Sequence, residues 1–359
     1  MQAVVRRDSQ LICTEVEDPV PGAGQVLLRT LACGICGSDL HVHVHAERRA
    51  EVARKAGRAN PADPAKDLIF GHEFCGEVLT YGPEAERRFE PGARVVALPY
   101  ATGPGGRETV GFSNRFPGGY GERICVDAAM LMAVPDHLSD REAAMVEPFA
   151  VGVHAVAEAT LDADSVCMVI GCGPVGLAVV ASLKAQGFGP VIAVDYSPAR
   201  RAMAERLGAD VIVDAAAQSP HTHWGPLGVS PSLLQRQAAQ DLGQRVRKPV
   251  VFECVGVPGV LQGIIEGVAP GAQLIVAGVC MEEDRFEPSM AINKQLSMRF
   301  VSAYTVKEFA DTLAHIADGR IDAAPVISRV VGRSGVAGAF EALARPNADI
   351  KIVIESGRP

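Results

Sequence analysis

The chain has 359 residues, 48% of them hydrophobic, and a mean hydropathy of +0.15; this suits a globular protein of two or three domains, and no apolar run approaches the roughly 18 residues of a membrane span. With 34 basic against 42 acidic residues the net charge is −8, so the basic footprint that nucleic acid requires is missing. The start lacks the apolar core of roughly 7 to 15 residues that marks a signal peptide, and the nine cysteines form an odd, scattered set, so a cytoplasmic chain of reduced thiols, some available to a metal, is expected.

Residues 1 to about 135 read as short strands between Pro/Gly turns, at 11–16, 26–32, 74–80, 94–98 and 122–126. One stretch departs from this: "AERRAEVARKAGR", 46–58, is rich in helix formers of both charge signs and reads as an exposed helix in a long loop, a solvated insertion first and a lid or subunit contact second. At Ser139 the sequence "SDRE" is a capping box that opens a helical stretch to about residue 158. Strands and helices then alternate: strands at 166–170, 191–194, 211–213, 250–253 and 274–277, and helices from 175, from 198 to about 208, and from 230. That rhythm predicts βαβ units in a parallel sheet covered on both faces. The segment 215–232 reads as a loop insertion whose His221 and His223 are surface residues. Beyond about 300 the alternation stops, and "DIKIVIES" closes the chain as a further strand.

"VCMVIGCGPVGLAVV" places Gly171, Gly173 and Gly176 at G-x-G-x-x-G spacing between an apolar strand and a helix. The first glycine permits the tight turn, the second lets backbone approach a pyrophosphate, and the third lets helix and strand pack closely; the helix N-terminus attracts phosphate charge. Asp195 ends the next strand, where a carboxylate accepts hydrogen bonds from the adenosine ribose and repels a 2′-phosphate, so NAD is expected rather than NADP.

"GICGSDLH", 34–41, concentrates cysteine, serine, aspartate and histidine in one loop, and two other stretches, "GHE" at 71–73 and "VEP" at 146–148, supply an imidazole and carboxylates. A thiolate, an imidazole and a carboxylate suit Zn²⁺ with a fourth position open to substrate. Residue types alone leave open the alternative that Cys36 is an ordinary buried thiol.

Taken in order, "CGICGSDLH", "GHE", "PGGYGE", "MVEPFAVGVHAV" and "VIGCGPVGL" make the whole chain resemble the zinc-containing medium-chain dehydrogenase/reductase family, most closely its sorbitol, butanediol and threonine dehydrogenase branch. The resemblance implies an α/β protein: a β-rich GroES-like catalytic domain at 1–150, a Rossmann-type doubly wound NAD-binding domain at 151–298, and a C-terminal return to the catalytic domain at 299–359. It implies Cys36 and His72 as zinc ligands, with Glu147 as the third, directly or through water. Glu73 is then a neighbour of the metal or an alternate ligand, and Asp39 accepts the other imidazole N–H of His72. Ser38 and His41 take the proton-relay positions. Val175 joins the glycines at the cofactor, Arg200 falls near the adenosine ribose and Lys351 near the pyrophosphate.

Two departures from the family pattern bear on function. The stretch "YATGPGGRETVGFSNRFPGG" carries none of the cysteines that hold a second, structural zinc in many relatives, so one catalytic zinc per chain is expected. The loop between Asp39 and Gly71 is longer than usual. His43 and His45 match no family position and read as surface histidines, and the Cys33/Cys36 pair has no redox role. The expected activity is NAD- and zinc-dependent interconversion of a secondary alcohol, a polyol or vicinal diol, with its ketone, in a homodimer or homotetramer. The rivals are a zinc-independent enone or quinone reductase and a non-catalytic NAD-binding module.

Overall fold

A computed structural model describes residues 1–345 and 349–357. The chain divides into two compact units, Met1–Pro148 with Phe309–Gly319 and Ala323–Pro359, and Phe149–Glu308 with Arg320–Asp322. No described helix is long and apolar enough to cross a membrane.

The first unit is built on a seven-stranded sheet whose path runs Ile327–Val331, Lys351–Glu355, Gln25–Gly34, Glu73–Tyr81, Arg94–Ala97, Leu131–Ala133, with Arg123–Asp127 also pairing on Gln25–Gly34. Strand Gln25–Gly34 is the organiser. It is antiparallel to Glu73–Tyr81 with Gly34 opposite Glu73, and antiparallel to Lys351–Glu355 with Gly34 opposite Val353. Its inward side chains Val26 and Leu28 join Phe70, Phe74, Tyr120 and Ile124 in one core. Burying each such side chain contributes roughly 1.5–3 kcal/mol, so the pairing register is strongly held. A slip by one residue would turn that apolar set to solvent. The register therefore fixes which residues meet at the strand's C-terminal end.

The helix expected at 46–58 begins much earlier, at Gly37, and runs to Lys55 with non-helical dihedrals inside it at His45. Cys36 is its N-cap, and the Asp39 carboxylate turns back to accept the Cys36 backbone N–H at 3.1 Å. The β-branched Val42 and Val44 and the interleaved histidines hid this first half from a reading based on propensity. Ser139 caps Asp140–Ala144 through Glu142 as expected, but the helical stretch restarts at Val146–Ala157 after a turn at Met145. The cysteine-free stretch folds as a hairpin, Tyr100–Gly103 against Gly106–Thr109. Side chains hold it: Ser113 and Arg115 both bond Glu108, and Thr102 donates to Asp127 through backbone and hydroxyl at 2.8 and 2.7 Å.

The second unit carries a six-stranded parallel sheet in the order Val211–Asp214, Val191–Asp195, Ser165–Ile170, Lys248–Glu253, Gln273–Val276, Ser297–Phe300. In chain order this is 3-2-1-4-5-6, the doubly wound dinucleotide-binding arrangement. The inner strands are buried on both faces, which is why they read as continuous apolar runs. The sixth strand straddles the boundary expected at 298; its exposed Ser297, Arg299 and Phe300 carry no buried-strand signal, so the sequence gives no reason to extend the sheet that far. The segment 215–232 is not a loose loop: Trp224 and Val229 are buried in the sheet's core, and Trp224 Nε1 donates to His221 Nδ1 at 3.2 Å. Burial pushes the His221 imidazole down to about 4, so it is a neutral packing residue and not a free surface histidine.

Candidate active site

Strand Gln25–Gly34 delivers Cys36 just past its end, and its partner strand begins at Glu73, so the sheet itself sets the thiol beside the His72–Glu73 pair. Ligand atoms of Cys36, His72 and Glu73 all lie within 4.8 Å of one another. Ser38, in the first turn of the helix, donates to Cys36 Sγ at 3.1 Å and sits 3.5 Å from His72 Nε2. The other ring nitrogen, Nδ1, faces Asp39 Oδ1 at 3.5 Å. Asp39 is wholly buried, and its second oxygen accepts from Tyr120 Oη at 2.9 Å as well as from the Cys36 backbone. A carboxylate so pinned faces Nδ1 and leaves Nε2, on the Ser38 side of the ring, as the atom that could face a metal.

Burial pushes the His72 imidazole down, but the charges of Asp39 and Cys36 outweigh it and leave the group well above its ordinary value in the metal-free chain. The ring is thus held among negative charges that a cation would satisfy. Glu73 has no solvent exposure, and one of its oxygens, Oε1, makes no hydrogen bond among the described residues. A soft thiolate, an imidazole and a carboxylate with orphaned buried atoms match the donor preferences of Zn²⁺.

Lys351 differs from its sequence-based position. It is 1% exposed, ion-pairs with Glu73 Oε2 and donates to Ile35 O at 2.9 Å. Burial lowers its affinity for a proton, yet the Glu73 carboxylate more than compensates and the ammonium is stabilised above its ordinary value. The pyrophosphate contact that the family resemblance implies for Lys351 is not what this structure shows: the ammonium is enclosed and engaged with Glu73, beside the metal-donor group. Gly34 makes the pair possible: a Cβ there would lie 2.0 Å from Glu73 Oε2 and 3.0 Å from Lys351 Cε.

Glu147 is buried at the start of helix Val146–Ala157 and close enough to Lys351 to favour its charge, but it is outside the three-residue donor group. His41 is half-buried one turn beyond Ser38 with no hydrogen bond to it; burial first, and the neighbouring His45 second, lower its pKa. Cys33 is buried and its thiol pushed well up by burial, which suits packing and not redox exchange. Tyr120, within the "PGGYGE" motif, and Phe112, whose ring lies 4.7 Å from that of His72, are the neighbours that the sequence did not single out.

In the second unit the glycine loop has the expected form. Gly171 has a φ of +91°, and a Cβ on Gly176 would lie 1.8 Å from Gly171 O, while the space above Gly173 is open. Gly173 caps helix Pro174–Ala185, with Val175 half-buried in its first turn. Asp195 accepts from the Cys172 and Ser197 backbone N–H groups, each at 2.7 Å, so its carboxylate also braces the loop. Arg200 Nη1 stands 4.0 Å from Asp195 Oδ2.

Residues 22–136 match the alcohol dehydrogenase GroES-like domain and residues 174–318 the zinc-binding dehydrogenase family. The chain is similar to (R,R)-butanediol dehydrogenase of Bacillus subtilis, 30% identical over 348 residues that cover 94% of each chain. It is similar also to sorbitol dehydrogenase of the same organism, 28% identical over 379 aligned positions covering 100% of this chain and 98% of the other. The crystal structure of 2R,3R-butanediol dehydrogenase from Bacillus subtilis superposes with a TM-score of 0.77 at 27% identity, over 99% of both chains.

Proposed function

The chain belongs to the zinc-binding alcohol dehydrogenase family, and on that footing we propose that it oxidises a secondary alcohol, a polyol or vicinal diol, to its ketone and catalyses the reverse reduction. The single observation that carries the reading is the convergence of Cys36, His72 and Glu73 donor atoms within 4.8 Å at the end of the organising strand. Zinc in that set supplies Lewis acidity that acidifies an alcohol hydroxyl, and NAD on the glycine loop supplies the hydride acceptor.

The chain's own residues do the rest. Cys36 and His72 would hold the metal, with Glu73 in the donor group and Glu147 as a further ligand, directly or through water. Asp39 keeps His72 in the tautomer that presents Nε2. Oxidation removes a hydride and a proton from the alcohol, and Ser38 Oγ, already turned toward the donor atoms, is the first proton acceptor. The proton leaves through His41, one helical turn on, by way of a bridging hydroxyl or water. Gly171, Gly173, Val175 and Gly176 cradle the pyrophosphate, and Asp195 with Arg200 frames the adenosine ribose. A zinc-independent reductase has no use for this donor set, and a mere binding module has no use for Ser38.

The protein acts as a homodimer or homotetramer in the cytoplasm. Support for self-association comes from strand Ser297–Phe300, a sheet edge with Phe300 69% exposed, since an uncovered edge is a template for pairing with a second chain. Nine unpaired cysteines suit a reducing compartment. Purified protein, assayed for NAD reduction on a panel of polyols, diols and amino alcohols with its zinc content measured, should turn over at least one of them; a zinc-loaded protein inert on all would sink the reading.

A further inference from the structure

The geometry points to Arg49 as the anchor for a negatively charged group on the substrate, so that the alcohol taken by this enzyme carries a carboxylate or a phosphate; the inference deepens the dehydrogenase reading above and rests on it. Arg49 lies in the second half of helix Gly37–Lys55, in the stretch that lengthens the loop between Asp39 and Gly71. Its guanidinium carbon is 3.8 Å from the centroid of the Phe112 ring, and that centroid is 4.7 Å from the His72 ring. Phe112 thus carries the cation to the rim of the zinc donor set, no farther from His72 than those two distances laid end to end.

What makes the placement informative is the lack of an acid for it. Among the described residues Arg49 has neither a hydrogen bond nor an ion pair, although it is half-buried. The acids near it are committed elsewhere: Asp39 to Tyr120 and the Cys36 backbone, and Glu51 to Arg48 and Lys55. Glu47, two residues back on the helix, faces away from it. The other charge in its surroundings is a cation, Arg58, which likewise has no acidic partner among the described residues and lies near enough to act against the Arg49 charge. Burial and Arg58 both disfavour the guanidinium; Asp39 and Cys36 favour it only from beyond bonding range.

Arginine stays charged at any physiological pH, and its planar fork pairs two N–H groups with two oxygens of a carboxylate or phosphate. A half-buried, unpaired guanidinium beside a reaction centre is therefore a receptor for an oxyanion. The substrate's carbinol carbon sits at the donor set and its anionic end a few carbons away at Arg49, with Arg58 adding attraction from farther out.

The test uses zinc-loaded full-length protein and three probes of equal carbon number: a neutral alditol, the corresponding aldonate and the alditol monophosphate. Wild type should show the higher kcat/KM on one of the charged probes, and which one identifies the anion. In Arg49→Met, which keeps the stem on Phe112, the ratio of charged to neutral kcat/KM should fall about 10- to 100-fold, the range of a charge-assisted hydrogen bond to a buried group. Arg49→Lys should fall less and Arg58→Gln least. Calorimetric affinity for the favoured charged probe should drop in the same order. A wild type that prefers the neutral alditol, or a ratio unchanged in Arg49→Met, overturns the inference. Arg49-dependent binding with no turnover on any probe would instead overturn the dehydrogenase reading and leave the anion site standing.

Discussion

Lys351→Met removes one partner of a pair in which neither side chain reaches solvent, Lys351 at 1% and Glu73 at 0% exposure. The variant leaves the Glu73 carboxylate buried without its counter-charge, and removing one member of a buried pair costs about 3–5 kcal/mol. At roughly 2–4 °C per kcal/mol for a unit of this size, the first unit should melt on the order of 10 °C lower. The comparison is made by urea unfolding and thermal melting on chelated protein, so that metal linkage does not enter, and repeated on zinc-loaded protein. Lys351→Met with Glu73→Gln should recover most of the loss, since no charge is then left stranded. The pH dependence has a fixed sign. The folded lysine is stabilised above its ordinary value, so its contribution is fully present below about pH 10.4 and fades only as pH rises through the higher folded value. A loss under about 1 kcal/mol, or a double variant no better than the single one, would refute a buried pair at this position.

Cys36→Ala and His72→Ala should each abolish bound zinc and turnover while leaving NAD affinity unchanged, because the glycine loop belongs to the other unit; metal analysis of the wild type should give one zinc per chain. Burial and His45 hold His41 below its ordinary value, so it is a neutral acceptor at pH 7 and loses that role only as pH falls through its lowered pKa. His41→Ala should accordingly depress alcohol oxidation most near neutral pH and recover toward alkaline pH, where solvent base replaces it; a uniform loss in the pH–kcat profile would reject it as the exit. Asp195→Ser should weaken NAD use and relieve the penalty on NADP, read as the ratio of kcat/KM for the two cofactors, and an unchanged ratio would show that another group discriminates.

The parts legible in the sequence are those whose signal is local. Buried parallel strands are apolar from end to end, and Ser165–Ile170 and Val191–Asp195 are read directly from that run and from the glycines between them. The β-rich unit shows through its Pro/Gly turns, although the hairpin Tyr100–Gly103 with Gly106–Thr109 does not, because two glycine-bounded strands of four residues lack a pattern. Glu108 gathers Ser113 and Arg115, and Asp127 gathers Thr102, contacts with residues beyond the hairpin that no local pattern announces.

Long-range placement is what the sequence withholds, and the two basic residues of the site show why. A lysine is almost never fully buried without a partner, so its residue type alone sends Lys351 to the surface, while the family resemblance places it near the pyrophosphate. Only the antiparallel pairing of Lys351–Glu355 on Gln25–Gly34 turns it inward, where Glu73 waits in register beside Gly34. Arg49 is the converse. Its neighbours 46–58 are helix formers of mixed charge, the pattern of a solvated face, and nothing local says that the helix starts at Cys36. Once that start is fixed, the helix no longer hangs from a loop but grows out of the zinc donor set, and a side chain three turns along is carried back to Phe112 and His72. The insertion thereby changes from an ornament on the fold to a segment packed against the Phe112 ring beside His72, and that placement is what the proposed anion contact at Arg49 rests on.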